Sequence, residues 1–292
     1  MTDSTLKRIL LASDLSDASS RAAFRAVQWA RQSGATLEAV HVTPYVMPPV
    51  DSYEDVDQAR LEEALHREAH QGLARQLAEA GDESAELCVL TGPTVPTLLD
   101  HLNASGSQVT VVGAHGQRPL RDRLLGSTAD RLVRRGHQPT VVVRRVPEGP
   151  YQRVLVAVDF SEASARALRL ALDWFGAEHL TVLHILDLSA RDSLRAAGFD
   201  PALLERYEDD LENRANIDLE AFVAEAGTSA EALAGCAVVA GEPGQGVLDA
   251  ATSAATDLVV IGSHGRNRLA DVLLGGVAMA VLYHAECDVL VV

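Results

Sequence analysis

Apolar and polar positions along the chain form two kinds of segment, short β-branched runs and longer amphipathic stretches. The runs at 9–12, 109–112 and 154–158 are continuously apolar, which is typical of strands buried on both faces. Between such runs apolar residues recur about every 3.6 positions, as in 18–32, and this spacing predicts helices. Strand and helix alternate throughout, so we predict an α/β fold with a parallel sheet and helices on both faces.

The predicted elements occur in the same order in both halves. The first half has predicted strands at 9–12, 37–42, 87–90, 109–112 and 140–143, and helices at about 18–32, 55–80, 95–103 and 127–135. The second half has predicted strands at 154–158, 180–186, 258–261 and 288–292, and a long helix at about 201–226. Two prolines and a glycine within 147–150 interrupt either kind of element. We therefore predict two duplicated domains, 1–147 and 148–292.

A glycine motif follows the fourth predicted strand of each half. It reads Gly-Ala-His-Gly at 113–116, nine residues, then Gly-Ser from 126; the second copy reads Gly-Ser-His-Gly at 262–265, nine residues, then Gly-Gly from 275. Glycine lets backbone amides approach a ligand without a Cβ, and a helix start presents free N–H groups to an anion. The motif therefore indicates phosphate binding. The alternative is that the glycines only allow a strand and a helix to pack closely.

An Asp-x-Ser sequence follows the first predicted strand of each half, at Asp14 and at Asp159. In doubly wound sheets the ligand lies beyond the carboxyl ends of the strands, where the strand order reverses. If the first and fourth strands are neighbours, the aspartate and the glycine motif flank one crevice. A role as a helix cap or turn former explains the same carboxylates equally well.

These motifs, with a Gly-x-Pro after the third strand, resemble the universal stress protein family. The resemblance covers the whole chain as two tandem domains. It implies a Rossmann-like, five-stranded parallel sheet of order 3-2-1-4-5 in each, and binding of ATP or another adenine nucleotide. Asp14 is then expected near the ribose and triphosphate, and Val42 near the adenine. The implied binding residues are Asp14, Val42, Gly113, Gly116, Gly126, Ser127 and Thr128 in the first domain, and Asp159, Ile185, Gly262, Gly265, Gly275, Gly276 and Val277 in the second.

The second copy departs from the family pattern at Gly276, which stands where the first copy has a hydroxyl residue. One side-chain hydrogen bond of about 0.5–1.5 kcal/mol is lost, and the backbone N–H remains. This loss would lower the nucleotide affinity of the second site by up to about tenfold. We expect both sites to bind and the first to bind more tightly, which nucleotide titration of the two separate halves would test.

The net charge is −16, which argues against non-specific binding to nucleic acid or to anionic membranes. Residues 1–150 hold 16 Lys or Arg against 19 Asp or Glu, a net of −3, and 151–292 hold 9 against 22, a net of −13. Lys7 is the single lysine of the sequence. A Walker A phosphate lysine and Schiff-base chemistry at the glycine motifs are therefore excluded.

The sequence predicts a cytoplasmic protein. No apolar stretch approaches the roughly 18 residues of a membrane span, and the first eight residues lack the apolar core of a secretory signal. Three cysteines cannot all pair within one chain. We interpret Cys88, Cys236 and Cys287 as buried thiols in a reducing compartment.

Other polar residues are candidates of lesser weight. The nine-residue spans hold arginines that offer either a basic cluster for a phosphate or exposed charge: Arg118, Arg121, Arg123, Arg266 and Arg268. We interpret the histidines as structural, with turn capping for His115 and His264, satisfied burial for His41 and His184, and a solvated helix face for His66 and His70.

The functional prediction is an adenine-nucleotide-binding regulator of the stress-response type, with Mg²⁺ accompanying a bound triphosphate. No general base, arginine finger or Walker B carboxylate is assigned, so no catalytic residue is predicted and any ATP hydrolysis is expected to be slow. The alternatives are a slow ATPase or nucleotidyl-transfer enzyme of the same fold class, and a ligand-free interaction module. The short fifth strands at 140–143 and 288–292 are edge strands, which predicts an internal pseudo-dimer of the two domains and a possible homodimer.

Overall fold

The chain folds into two units, of which one ends at Pro150 and the other begins at Tyr151. We call them the first and the second unit. The computed structural model describes residues 6–45, 58–114, 125–265 and 274–292. The division lies three residues beyond the predicted boundary at 147/148.

The first unit alternates strand and helix from end to end. Its elements are β1 (Arg8–Ala12), α1 (Asp17–Ser33), β2 (Thr36–Thr43), α2 (Gln58–Glu79), β3 (Glu86–Thr91), α3 (Thr94–Ser105), β4 (Val109–Gly113), α4 (Ser127–Arg135) and β5 (Thr140–Val143). The predicted start of the long helix, at 55–57, lies outside the described residues.

The second unit repeats this order, and it contains a short helix, α6, that the sequence pattern did not predict. Its elements are β6 (Val154–Val158), α5 (Glu162–Phe175), β7 (Leu180–Leu186), α6 (Ala190–Ala196), α7 (Pro201–Glu225), β8 (Gly235–Ala240), α8 (Pro243–Ser253), β9 (Leu258–Ile261), α9 (Gly276–His284) and β10 (Asp288–Val291).

Each unit has a parallel sheet with the predicted strand order. The order is β3-β2-β1-β4-β5 in the first unit and β8-β7-β6-β9-β10 in the second. All the strand pairs within a unit are parallel, and β1 lies beside β4 with Leu11 opposite Val111. The first and fourth strands are therefore neighbours in both units, as the crevice argument requires.

The core of each unit lies on both faces of its sheet. Every residue of β4 and β5 is buried, and so is every residue of β9 and β10. Consecutive burial along a strand means that helices cover both faces. In the first unit α1 packs beside α2, and α3 beside α4. Small residues such as Ala22 and Ala26, both fully buried, bring α1 close to the sheet.

Helix ends follow the sequence signals. Ser16 accepts a hydrogen bond from the Ser19 amide at the start of α1, and Ser161 accepts one from the Ser164 amide at the start of α5. Gly34 ends α1 in the left-handed conformation, with φ 70°. The sequence prediction that a glycine stops this helix is confirmed.

The cysteines are less buried than the sequence interpretation held. Cys287 is buried, but Cys88 and Cys236 are only half-buried, and Cys236 lies within β8. Both half-buried thiols lie on the third strand of their unit, which is the edge of the sheet within the unit and has no fully buried residue. Among the described residues no helix is both long and apolar enough to cross a membrane.

Candidate functional site

A cavity of about 490 Å³ lies in the second unit, at the carboxyl ends of β6, β7 and β9. This is where the strand order changes direction, between β6 and β9. The structure brings all seven residues predicted for this unit into the lining of that one cavity: Asp159, Ile185, Gly262, Gly265, Gly275, Gly276 and Val277.

The aspartate of each unit forms a tight turn after the first strand. The Asp159 Oδ1 accepts a hydrogen bond from the Ser161 amide at 3.0 Å, and the Asp14 Oδ1 accepts one from the Ser16 amide at 3.1 Å. The turn former that the sequence allowed is therefore present. The second oxygen of Asp159 points to the glycine motif, because a Cβ on Gly265 would stand 2.9 Å from Oδ2.

The residue after each aspartate adopts a left-handed conformation, with φ 63° at Leu15 and 62° at Phe160. This conformation is costly for a residue with a side chain, so the surroundings must hold it. Phe160 stacks on His184 with ring centroids 4.3 Å apart and meets Phe222 of α7 edge-on at 5.5 Å. The long helix thus secures the turn that carries the aspartate.

The first unit secures its turn differently. Leu15 lies against Gly72 of α2 so closely that a Cβ on this glycine would stand 2.8 Å from the Leu15 Cδ1. Beside it, the buried Gln76 of the same helix bonds to the hydroxyl groups of Ser13 and Ser19, at 2.7 and 3.1 Å. The turn after the first strand is therefore held by polar contacts in the first unit and by an aromatic cluster in the second.

The first glycine of each motif is required by packing. A Cβ on Gly113 would stand 2.6 Å from backbone atoms of Ala18, and one on Gly262 would stand 2.9 Å from the backbone carbon of Ala163. These two glycines let the fourth strand approach the first helix of the unit. Gly276 is different, since a Cβ there would meet nothing within 4 Å and would enter open space.

The late helix of each unit begins without a side-chain cap among the described residues. Its N-cap is Gly126 in α4 and Gly275 in α9. The first amides bonded within the helix are those of Asp130 and Met279, at 2.9 and 2.8 Å. The preceding amides, at 127–129 and 276–278, therefore have no partner within their helix. In the second unit, 276–278 all line the cavity.

His264 adds a buried polar atom to the cavity lining. Its Nδ1 lies 2.9 Å from the Ser263 hydroxyl, which leaves Nε2 to bond elsewhere. Nε2 is buried and has no hydrogen-bond partner within the described part of the chain. An unpaired buried nitrogen is costly, and a ligand group in the cavity would satisfy it.

In the first unit the predicted residues occupy the equivalent positions. Asp14 follows β1, Val42 is 7% exposed near the end of β2, and Gly113 ends β4. Gly126, Ser127 and Thr128 form the start of α4. Gly116 lies outside the described residues, as do His115 and the arginines of both nine-residue spans.

Three further histidines, His41, His66 and His184, are held by hydrogen bonds, whereas His70 is exposed on α2, as predicted. His41 and His184 each place Nδ1 2.9 Å from a backbone carbonyl oxygen, of Ser13 and Val158 respectively, so their interpretation as satisfied, half-buried residues is confirmed. His66 was assigned to a solvated helix face, and this is wrong. It is half-buried and its Nε2 lies 2.6 Å from the Thr91 hydroxyl, because α2 packs over β3.

The charged residues of the described cavity lining are carboxylates. Asp159 and Asp187 line it, whereas no described lining residue is a lysine or an arginine. The Ser189 backbone N–H donates to Asp187 and lowers the pKa of its carboxyl group. Within the described lining, an anion would therefore meet backbone amides and no cationic side chain.

Eleven of the described lining residues were not assigned to the site from the sequence, among them Ser164, Asp187, Pro243 and Val247. Pro243 belongs to the Gly-x-Pro after the third strand, so that motif was an available signal. Asp187 and Val247 lie on no motif, and only the folded arrangement brings them to the cavity.

The comparisons with known proteins agree with this fold. The model of the universal stress protein family matches residues 5–144 and again 150–292. A universal stress protein of Mycobacterium tuberculosis is 29% identical over 294 residues, covering 91% of this chain and 90% of the relative. A second one from that organism is 30% identical over 212 residues, covering 68% of this chain and 65% of the relative, so the matched region spans under two thirds of its length. The crystal structure of a universal stress protein from Archaeoglobus fulgidus superposes with a TM-score of 0.64 at 18% identity, covering 100% of this chain and 98% of that one. The chain belongs to the universal stress protein family, with two family domains in tandem.

Proposed function

We propose that each unit binds an adenine nucleotide such as ATP at the carboxyl edge of its sheet, and that the chain acts through this binding as a regulator. One observation carries the proposal. In the second unit, three amides at the start of α9 lack a helical partner and line a cavity together with every residue predicted for the site.

Phosphate groups fit the start of α9. The amides at 276–278, which have no partner within their helix, and the positive end of the helix dipole favour an anion at this position. Gly276 leaves the approach open, because no atom lies where its side chain would be. The Nε2 of His264, which has no hydrogen-bond partner among the described residues, is a second polar group that a ligand in the cavity can satisfy.

The apolar part of the cavity lining suits a flat base. Ile185 and Val247 line it and are 8% and 2% exposed, so they present a firm apolar surface. Ile185 itself rests against Gly246 of α8, where a Cβ would stand 2.9 Å from its Cδ1. The volume of about 490 Å³ falls within the range of about 300–1,000 Å³ typical of small-molecule sites.

A triphosphate in this cavity would be accompanied by Mg²⁺, which neutralises phosphate charge and prefers oxygen ligands. Asp159 and Asp187 are the carboxylates of the described lining that could hold such an ion. We assign no general base or nucleophile to either unit, so the proposed role is binding without rapid turnover. A steady-state ATP turnover above about 1 s⁻¹ would favour an enzyme instead.

Isothermal titration calorimetry of the full chain with ATP and Mg²⁺ tests the proposal, with two nucleotides per chain as the expected result. Gly276→Asp places a carboxylate at the start of α9, where it stabilises the helix but repels phosphate. We expect it to weaken the second site by more than about tenfold.

Gly276→Asn is the matched control, since it has the same shape without the charge. It should retain both sites. A wild-type chain that does not bind ATP, or a Gly276→Asp chain that binds two nucleotides with unchanged affinity, would contradict the proposal.

A further inference from the structure

A cluster of three different ligand types lies in the first unit, away from the carboxyl edge of the sheet. Glu38 of β2, Cys88 of β3 and His101 of α3 each place one potential ligand atom within 4.8 Å of the other two. Glu38 lies opposite Glu86, and Cys88 follows two residues later on the same strand. Residues two apart on a strand share a face, so the side chains of Glu38 and Cys88 lie on the same face of the sheet, the one that α3 covers.

The contacts of Glu38 leave its two oxygens in different roles. Oε2 accepts a hydrogen bond from the Arg8 guanidinium at 3.2 Å, while Oε1 lies 2.8 Å from the His101 Nε2. Arg8 is held in turn by Glu86 at 2.6 Å. The Glu38 side chain is 8% exposed and that of His101 is 22% exposed, so the cluster is enclosed but open to solvent on one side.

Thiolate sulfur, imidazole nitrogen and carboxylate oxygen are the ligands that zinc takes in proteins, often with three protein ligands and one open position. We propose that Glu38, Cys88 and His101 form a binding site for Zn²⁺ or a similar borderline-soft divalent cation. The cation replaces the hydrogen bond between His101 and Glu38, and the Nε2 proton of that bond moves to Nδ1 by exchange with solvent. The Cys88 thiol proton passes to solvent as the thiolate binds.

The surroundings suit this occupant. Arg8 holds the second oxygen of Glu38 and thereby orients the ligating oxygen, as outer hydrogen bonds commonly do at metal sites. The negative charges of Glu38, Glu86 and the Cys88 thiolate are balanced by Arg8 and a divalent cation. The bound ion would link α3 to both β2 and β3, where the hydrogen bond between His101 and Glu38 links α3 to β2 alone.

The second unit offers a natural comparison. Thr181 and Gly235 form the strand pair equivalent to Glu38 and Glu86. Cys236, the half-buried cysteine of β8, follows Gly235 directly and so lies on the other face, where Glu220 of α7 is its charged neighbour. No second group of three such ligands is found among the described residues.

Cobalt titration of the full chain, first stripped with a chelator, tests the proposal. We expect one Co²⁺ per chain with a thiolate-to-cobalt charge-transfer band, displaced by Zn²⁺. Cys88→Ser should abolish the band, and His101→Gln should weaken Co²⁺ binding at least about tenfold. Cys236→Ser, which removes the matched thiol, should leave the band unchanged.

A measurement on the wild-type chain covers the case in which a variant fails to fold. Zn²⁺ should slow alkylation of Cys88 and leave that of Cys236 unchanged, as followed by mass spectrometry of the modified peptides. The proposal is overturned if the folded wild-type chain gives no thiolate band, if the band survives in Cys88→Ser, or if Zn²⁺ protects the two cysteines equally.

Discussion

The backbone of α5 approaches Gly262 so closely that an added methyl group has no room, whereas Gly276 faces open space. Gly262→Ala should therefore lower the free energy of unfolding by about 1–3 kcal/mol, the usual cost of overpacking. Gly276→Ala should change it by less than about 0.5 kcal/mol, as exposed substitutions do. Urea unfolding followed by circular dichroism compares the two, and equal effects would show that both glycines serve packing.

A serine at position 276 would restore the hydroxyl that the first unit has at Ser127. Because the helix already starts there and the position is open, Gly276→Ser should keep the fold and add one hydrogen bond to phosphate. We expect up to about tenfold tighter ATP binding at the second site, measured by calorimetry. Gly276→Ala is the control and should give no gain; an equal gain in both variants would mean that the hydroxyl is not the cause.

The resemblance to the family, carried by the repeated motif, was sufficient to select seven positions that line the cavity of the second unit. The sequence could not distinguish Gly262, which packing requires, from Gly276, where a side chain would enter open space. That distinction depends on how near another backbone comes, as at Ala163, and sequence carries no record of such a distance. The error at His66 has the same origin, since its partner Thr91 lies on another element.

At the scale of elements, the turn between β6 and α5 depends on α7. Phe160→Ala removes the ring contacts with His184 and Phe222, and each such aromatic contact contributes about 0.5–1.5 kcal/mol. We expect a loss of about 1–3 kcal/mol in the free energy of unfolding, together with weaker nucleotide binding as the Asp159 turn loosens. Phe160→Leu, which inserts the first unit's residue, should lose less. Unchanged stability in Phe160→Ala would refute this account.

Strands and long helices were predictable from pattern alone. The strand at 154–158 and the helix at 127–135 agree with the structure at both ends, because an uninterrupted apolar run marks the strand and Gly126 and Gly136 flank the helix. The short helix α6 escaped prediction, since seven residues hold too few turns for a periodic signal. The stacking of α7 on Phe160 and the ligand cluster around Glu38 were also out of reach, because tertiary packing alone brings those elements together.

At the scale of the whole molecule, the net charge of −16 opposes the approach of a polyanion. Salt screens this repulsion, with a Debye length of about 8 Å at physiological ionic strength. The association rate of a fluorescent ATP analogue should therefore rise with salt, up to about tenfold, in stopped-flow measurements. An uncharged adenosine analogue is the control and should show no dependence. A rate that falls with salt would instead indicate that the arginines of the nine-residue spans dominate the local potential.

The late helices begin at Ser127 in one unit and at Gly276 in the other. If each unit binds an adenine nucleotide as proposed, this difference gives one polypeptide a tight and a weak binding site for the same nucleotide. The occupancy of the two sites then rises over a wider range of nucleotide concentration than it would for two sites of equal affinity. Such a chain would release its nucleotide in two successive stages as the nucleotide concentration falls, whereas a protein with two sites of equal affinity would respond at one threshold.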